Sequence, residues 1–125
     1  MTGQPPNADE QLRRDDLLAW QFAHYPEFHG SKANLVLHVL TVPLFQAGSI
    51  FLVLGWLSVS WLPVVGLLMM ALAVVAQGRG HALEHNPPVP FASRGEAVRR
   101  IVLEQWVNFP RYVVTGGFGR AWRAK

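Results

Sequence analysis

At 125 residues and 14.0 kDa the chain makes one domain and too little for two, since independent domains need about 50–250 residues. Half of it is hydrophobic and only 15% is charged, against roughly 25% in soluble domains, which points away from an aqueous surface. With no cysteine, disulfides, thiolate metal sites and cysteine nucleophiles are excluded, and the net charge of +3 is unevenly spread. Residues 1–33 carry three basic and five acidic groups, residues 79–125 carry eight basic and three acidic ones, and nothing charged lies between Lys32 and Arg79.

The first ten residues are rich in Pro, Asn, Gln and Gly and read as a frayed start. From Asp9 to Phe22 the pattern of Leu12, Leu17 and Trp20 among polar neighbours predicts an amphipathic helix with acidic groups in its first turn. Tyr25, Pro26, Phe28 and Gly30 mark a connector. The uncharged run from Ala33 to Gly78 would be roughly 69 Å long as one helix, about twice a hydrocarbon core, so it divides into two spans. Ser58 to Pro63 interrupts it, with Trp56 and Trp61 on either side at the level tryptophan favours in a bilayer. Helix one then runs from about Asn34 to Leu57, with Pro43 and Gly48 inside it, and helix two from about Val59 to Gln77, turning near residues 59 and 60. Burying both helices in a soluble protein would need more chain than the remainder supplies. A cleaved signal peptide does not fit, because a long polar segment precedes the first apolar helix.

Two crossings return the chain to its starting side. Lys32, Arg79, Arg94, Arg99 and Arg100 put that side in the cytoplasm, with both termini inward, as for an integral protein of a bacterial inner membrane. Asn86 to Pro90 cannot be helical. Ser93 is an N-cap with Glu96 completing a capping box, and the helix it starts runs to about Asn108 with a basic amphipathic surface suited to an anionic leaflet. From Phe109 to Trp122 the chain is apolar again, but Pro110 and Gly116 to Gly119 argue for an interfacial or re-entrant element over a third span. The expected architecture is an all-α membrane protein: a polar segment over 1–33, a two-span transmembrane helical hairpin over 34–78 and a basic segment over 79–125, with flanking amphipathic or re-entrant helices.

All five histidines fall near the cytoplasmic end of that hairpin. His24 and His29 precede span one, His38 is one turn into it, and His81 and His85 follow span two. A turn near residues 59 and 60 puts position 38 opposite about position 81. Asn34 and His38 share a helix face, as do His81 and His85 if helix two continues that far. His29, His38, His81 and His85 are therefore candidate ligands for Fe, Zn or another borderline divalent metal, with Asn34, Glu84 or Gln77 orienting them. His24 fits this set poorly, being five residues from His29. Solvated or hydrogen-bonded histidines are the plainer alternative, but an ionisable group within a span, as His38 would be, is costly and usually partnered. Glu84 is a candidate ligand or general base or an ordinary interfacial carboxylate, and Glu104 points either toward the bundle or toward arginines. No Ser-His-Asp arrangement, HExxH motif, paired membrane carboxylates or nucleotide loop accompanies them.

The text His29-Gly-Ser-Lys-Ala-Asn34-Leu-Val-Leu-His38, then Val42-Pro43-Leu44, then Gln77-Gly-Arg-Gly80-His81 resembles the Mpo1-like (DUF962) family of small membrane proteins over roughly residues 20–110. That family usually has a glutamate four residues after the histidine matched by His81; here position 85 is His and the glutamate is Glu84. The resemblance implies an iron(II)-dependent dioxygenase that removes one carbon from 2-hydroxy fatty acids in alpha-oxidation, leaving a fatty aldehyde or a shorter acid. It also implies that His29, His38 and His81 are iron-site residues supported by Asn34. The expected partners are the lipid-like 2-hydroxy acid, O2 and membrane lipids, with a homo-oligomer left open. The alternative is a small membrane interaction or assembly protein with structural or zinc-binding histidines. A soluble regulator or nucleic-acid binder lacks any recognition motif, so no nucleic-acid partner is expected.

Overall fold

The computed structural model describes residues 3–58 and 61–124, and no strand occurs among them. Three short helices lead in: α1 (Ala8–Asp15), α2 (Leu17–Ala23) and α3 (Tyr25–Phe28). The single helix predicted over Asp9 to Phe22 is broken at Asp16, which adopts φ −145° and ψ 80° and turns its carboxylate to accept the Ala19 N–H at 3.0 Å. Asp competes in this way with the helical backbone, ending one helix while capping the next.

Two long helices follow, α4 (Lys32–Leu57) and α5 (Leu62–Ala82). Ser31 caps α4 by accepting the Asn34 N–H, and Pro43 lies inside the helix without ending it. The start of α5 at Leu62 uses Pro63 in its first turn, where a missing N–H costs nothing. It runs five residues beyond the expected end at Gln77. Val59 and Ser60, where the turn was expected, lie outside the described residues.

Glycines let the two long helices touch. A Cβ on Gly48 would meet the Gly66 carbonyl oxygen at 2.7 Å, one on Gly55 would meet Pro63 N at 2.8 Å, and one on Gly80 would collide with the Asn34 side chain. These pairs run in opposite order along α4 and α5. Both helices are long and apolar enough to cross a membrane, yet only 28% and 17% of their most apolar windows are buried. A core helix of a soluble protein would be mostly covered. Their outward faces instead expose Leu40, Val53, Leu68 and Leu72, an apolar belt far larger than scattered surface leucines produce.

The C-terminal part wraps the end of this pair that carries the termini. Ser93 caps α6 (Arg94–Leu103) as expected, although Glu96 reaches the Ala92 N–H at 3.1 Å rather than that of Ser93. The helix passes into a π-helical turn, Glu104–Asn108, before α7 (Phe109–Val114) and α8 (Gly117–Arg123). Gly116, at φ +87°, makes the left-handed break between the last two, so residues 109–122 do not form a third long helix. Tyr25, Leu35, Val42, Phe109 and Tyr112 form the buried apolar core, which binds α3, α4 and α7 together beside the histidines.

Candidate metal centre

His29, His38, His81 and Glu104 each offer a ligand atom, and all four atoms lie within 4.8 Å of one another. The local chain dictates how each arrives. His29 ends α3, where its ring stacks on Tyr25 with centroids 3.7 Å apart and planes within 3°. His38 sits nearly two turns into α4 and is fully buried, and His81 occupies the last turn of α5. The centroids of His38 and His81 are 5.1 Å apart, as the arithmetic of a turn near residues 59 and 60 placed them. Glu104 opens the π-helical turn. Its N–H still bonds the Arg100 carbonyl, so α6 sets its direction, while the wider turn sends the Phe109 N–H to the Glu104 carbonyl and leaves that of Gln105 to the Gln46 amide at 2.7 Å; such bulges recur at functional sites.

Hydrogen bonding settles the tautomers of two rings. His29 Nδ1 lies 2.8 Å from the Tyr25 carbonyl oxygen and His38 Nδ1 lies 2.9 Å from the Asn34 carbonyl oxygen. A carbonyl only accepts, so both Nδ1 atoms donate and each neutral ring presents a lone pair at Nε2. Those two Nε2 atoms face each other at 3.3 Å, with Glu104 Oε1 at 2.9 Å from His38 Nε2 and 3.9 Å from His29 Nε2. Three acceptor atoms thus converge with no donor between them, and His81 Nδ1 is buried without a hydrogen-bond partner. Such a set is stable only around a positive centre, either a proton or a metal cation. Burial pushes the Glu104 carboxyl upward, but a proton shared with the imidazoles of His29 and His38 outweighs it and holds the group below the usual carboxylate range, ready as an anionic ligand.

The other candidates take different places. His85 lies outside the cluster: α5 stops at Ala82, its end closed by Leu83 N–H to Gly80 and Glu84 N–H to His81, so the expected i,i+4 pairing with His81 never forms and His85 is exposed. Glu84 is not in the cluster either. Its carboxylate accepts from Gly30 N at 2.8 Å, Ser31 N at 3.0 Å and Asn34 Nδ2 at 2.7 Å, fastening the end of α5 to the start of α4. With those donors in place it serves as a clamp beside His29. Asn34 contributes to the centre through its backbone carbonyl, which orients His38, while its amide joins the clamp. His24 pairs with Asp9 and Glu27 at the surface. Beneath the centre Gln77 and Gln105 exchange hydrogen bonds at 2.7 and 2.9 Å, and Gln77 also donates to Thr41.

By sequence alone Glu104 can face either the bundle or the arginines. The available signal was its isolation: it is the one charge between Arg100 and Arg111 in an otherwise apolar and amide-bearing stretch. Comparisons of the chain with protein-family models, curated proteins and solved structures return no match.

Proposed function

We propose that this chain is an integral membrane protein, a two-span hairpin with both termini on the cytoplasmic side, whose buried centre holds iron(II) for oxidative removal of one carbon from 2-hydroxy fatty acids. The observation that carries this reading is the convergence of three imidazoles and one carboxylate, with the Nε2 lone pairs of His29 and His38 facing the carboxylate of Glu104. Imidazole and carboxylate donors suit Fe(II), and backbone carbonyls fix the ligand rings as they do in established metal sites. The resemblance of the His29–His38 and Gln77–His81 segments to the Mpo1-like family supports the choice of reaction.

His29, His38, His81 and Glu104 would hold the metal, and bound iron supplies the one-electron chemistry that ground-state O2 needs to react with closed-shell carbon. The overall balance is one 2-hydroxy acid and one O2 giving the acid one carbon shorter, one CO2 and one water. The protein's part is positional and electrostatic. Tyr25 and Asn34 carbonyls keep the Nδ1 protons of His29 and His38 away from the centre, Glu104 offsets positive charge, and the Gln77–Gln105 pair closes its floor. The exposed apolar faces of α4 and α5 keep the centre at a bilayer boundary, where an acyl tail remains in lipid while its polar head reaches the histidines.

Detergent-purified protein loaded anaerobically with Fe(II) should consume O2 only when a 2-hydroxy fatty acid is added, and His38→Ala should not. Stoichiometric metal without oxygen uptake rejects the enzyme. One observation favours a second reading: four protein donors would fill a tetrahedral zinc site, the pattern of structural zinc. Tightly bound zinc lost together with folding on chelation would establish that alternative.

A further inference from the structure

A cavity of about 260 Å³ adjoins the centre, with His29, His81 and Glu104 on its wall. The rest is largely apolar, with Trp20, Phe28, Val74 and Phe91 contributing, and the one guanidinium among its lining residues belongs to Arg100. Arg100 stands one helical turn before Glu104 on α6, so the two share a face. Its side chain is only 11% exposed, held between the rings of Trp20 and Phe91 with its Cζ at 5.3 and 4.6 Å from their centroids.

All side-chain hydrogen bonds of Arg100 among the described residues come from Nη1, to the carbonyls of Val89 at 2.9 Å and Pro90 at 3.3 Å and, weakly, to Glu96 at 3.4 Å. Nε is buried and has no partner. The Nε–Nη2 edge is the fork that takes a carboxylate through two parallel bonds, and no acceptor among the described residues meets it. Glu96 is engaged by both Nε and Nη2 of Arg13, so Arg100 has only a weak, shared claim on that carboxylate. At about 260 Å³ the cavity is smaller than the ~300–1,000 Å³ of sites that enclose whole ligands, so it admits a head and its first carbons.

We infer that this cavity is the head-group pocket for an acyl carboxylate and that Arg100 is its anchoring cation. The inference rests on the proposed function for the identity of the acid, but its test needs neither metal nor turnover. Metal-free full-length protein in detergent at pH 8 is loaded with a fluorescent fatty-acid probe, which is displaced by dodecanoic acid, dodecanol or dodecyl phosphate. These share one tail and differ only in the head. The expected result is that dodecanoic acid displaces the probe at least about tenfold better than dodecanol, the discrimination charge-assisted hydrogen bonds provide. Arg100→Gln should erase that preference and Arg100→Lys should retain part of it. Equal displacement by acid and alcohol in the unaltered protein, or a preference that survives Arg100→Gln, would overturn the inference. Stronger displacement by dodecyl phosphate than by the acid would overturn it in favour of a phospholipid head. The wild-type ranking and Arg100→Lys decide the matter even if Arg100→Gln does not fold. A carboxylate preference in a protein whose iron form consumes no O2 upholds Arg100 and rejects the dioxygenase, whereas oxygen uptake without the preference does the reverse.

Discussion

Replacing Glu104 by Gln separates the two ways the centre can be stabilised. In the metal-free protein the inward lone pairs of His29 and His38 and Glu104 Oε1, 2.9–3.9 Å apart, require a shared proton. In the Glu104→Gln variant the new side-chain amide brings its own donor and can satisfy His38 Nε2 directly. The exchange trades a charge-assisted bond of about 1.5–3 kcal/mol for a neutral one of about 0.5–1.5 kcal/mol, and removes the cost of burying charge, so metal-free stability should change by no more than about 1 kcal/mol. Metal binding should suffer far more. Losing a hydrogen-bonding partner outside a ligand set already weakens affinity by about 10–100-fold, and a lost anionic ligand must exceed that floor. The assay is Co(II) titration against a competing chelator, with circular dichroism to establish that the helices remain. Affinity within about threefold of the unaltered protein in a folded Glu104→Gln variant would refute the assignment of Glu104 as a ligand.

Other outcomes follow from the same geometry. Glu84→Ala leaves the Gly30 and Ser31 N–H groups without their acceptor, at about 1–3 kcal/mol for each group that stays buried, and should lower both melting temperature and Co(II) affinity, while His85→Ala changes neither; paired melting and titration measurements check this. Gly66→Ala drives a methyl into the Gly48 carbonyl and to within 2.8 Å of Leu52 N, so the helices must part at a cost of about 1–3 kcal/mol, readable as a lowered melting temperature in detergent. The His24 pKa is raised above 6.5 by hydrogen bonds to Asp9 and Glu27, so its contribution is complete below pH 6.5 and lost as pH rises through the raised value; a His24→Gln variant should show a flatter melting-temperature profile over that window. Glu96 behaves oppositely. Burial raises its pKa, but Arg13 and the Ala92 N–H outweigh burial and lower it below 4.5, so its contribution is present above pH 4.5 and disappears as pH falls through the lowered value. Glu96→Gln should remove that acid-side loss, as melting curves taken down through the acid range would register.

What could be read from the chain alone was whatever depends on local chemistry and on counting. The uncharged run from Ala33 to Gly78 marks two long apolar helices because no charge interrupts it, and Ser93 announces α6 because its hydroxyl meets the Glu96 N–H three residues on. His38 and His81 could be paired because equal lengths on either side of a turn put them at one level. The tertiary structure decided the rest. Whether α5 reached His85 depended on how its last turn closed, and it closed at Ala82, which released His85 to solvent and sent Glu84 to clamp Gly30 and Ser31. Glu104 joined the histidines because the π-helical turn it opens, 66 residues beyond His38, packs against α4. Sequence spacing encodes which side chains share a face of one helix, but how separate helices dock, and which carboxylate completes a ring of imidazoles, is set by packing between distant segments.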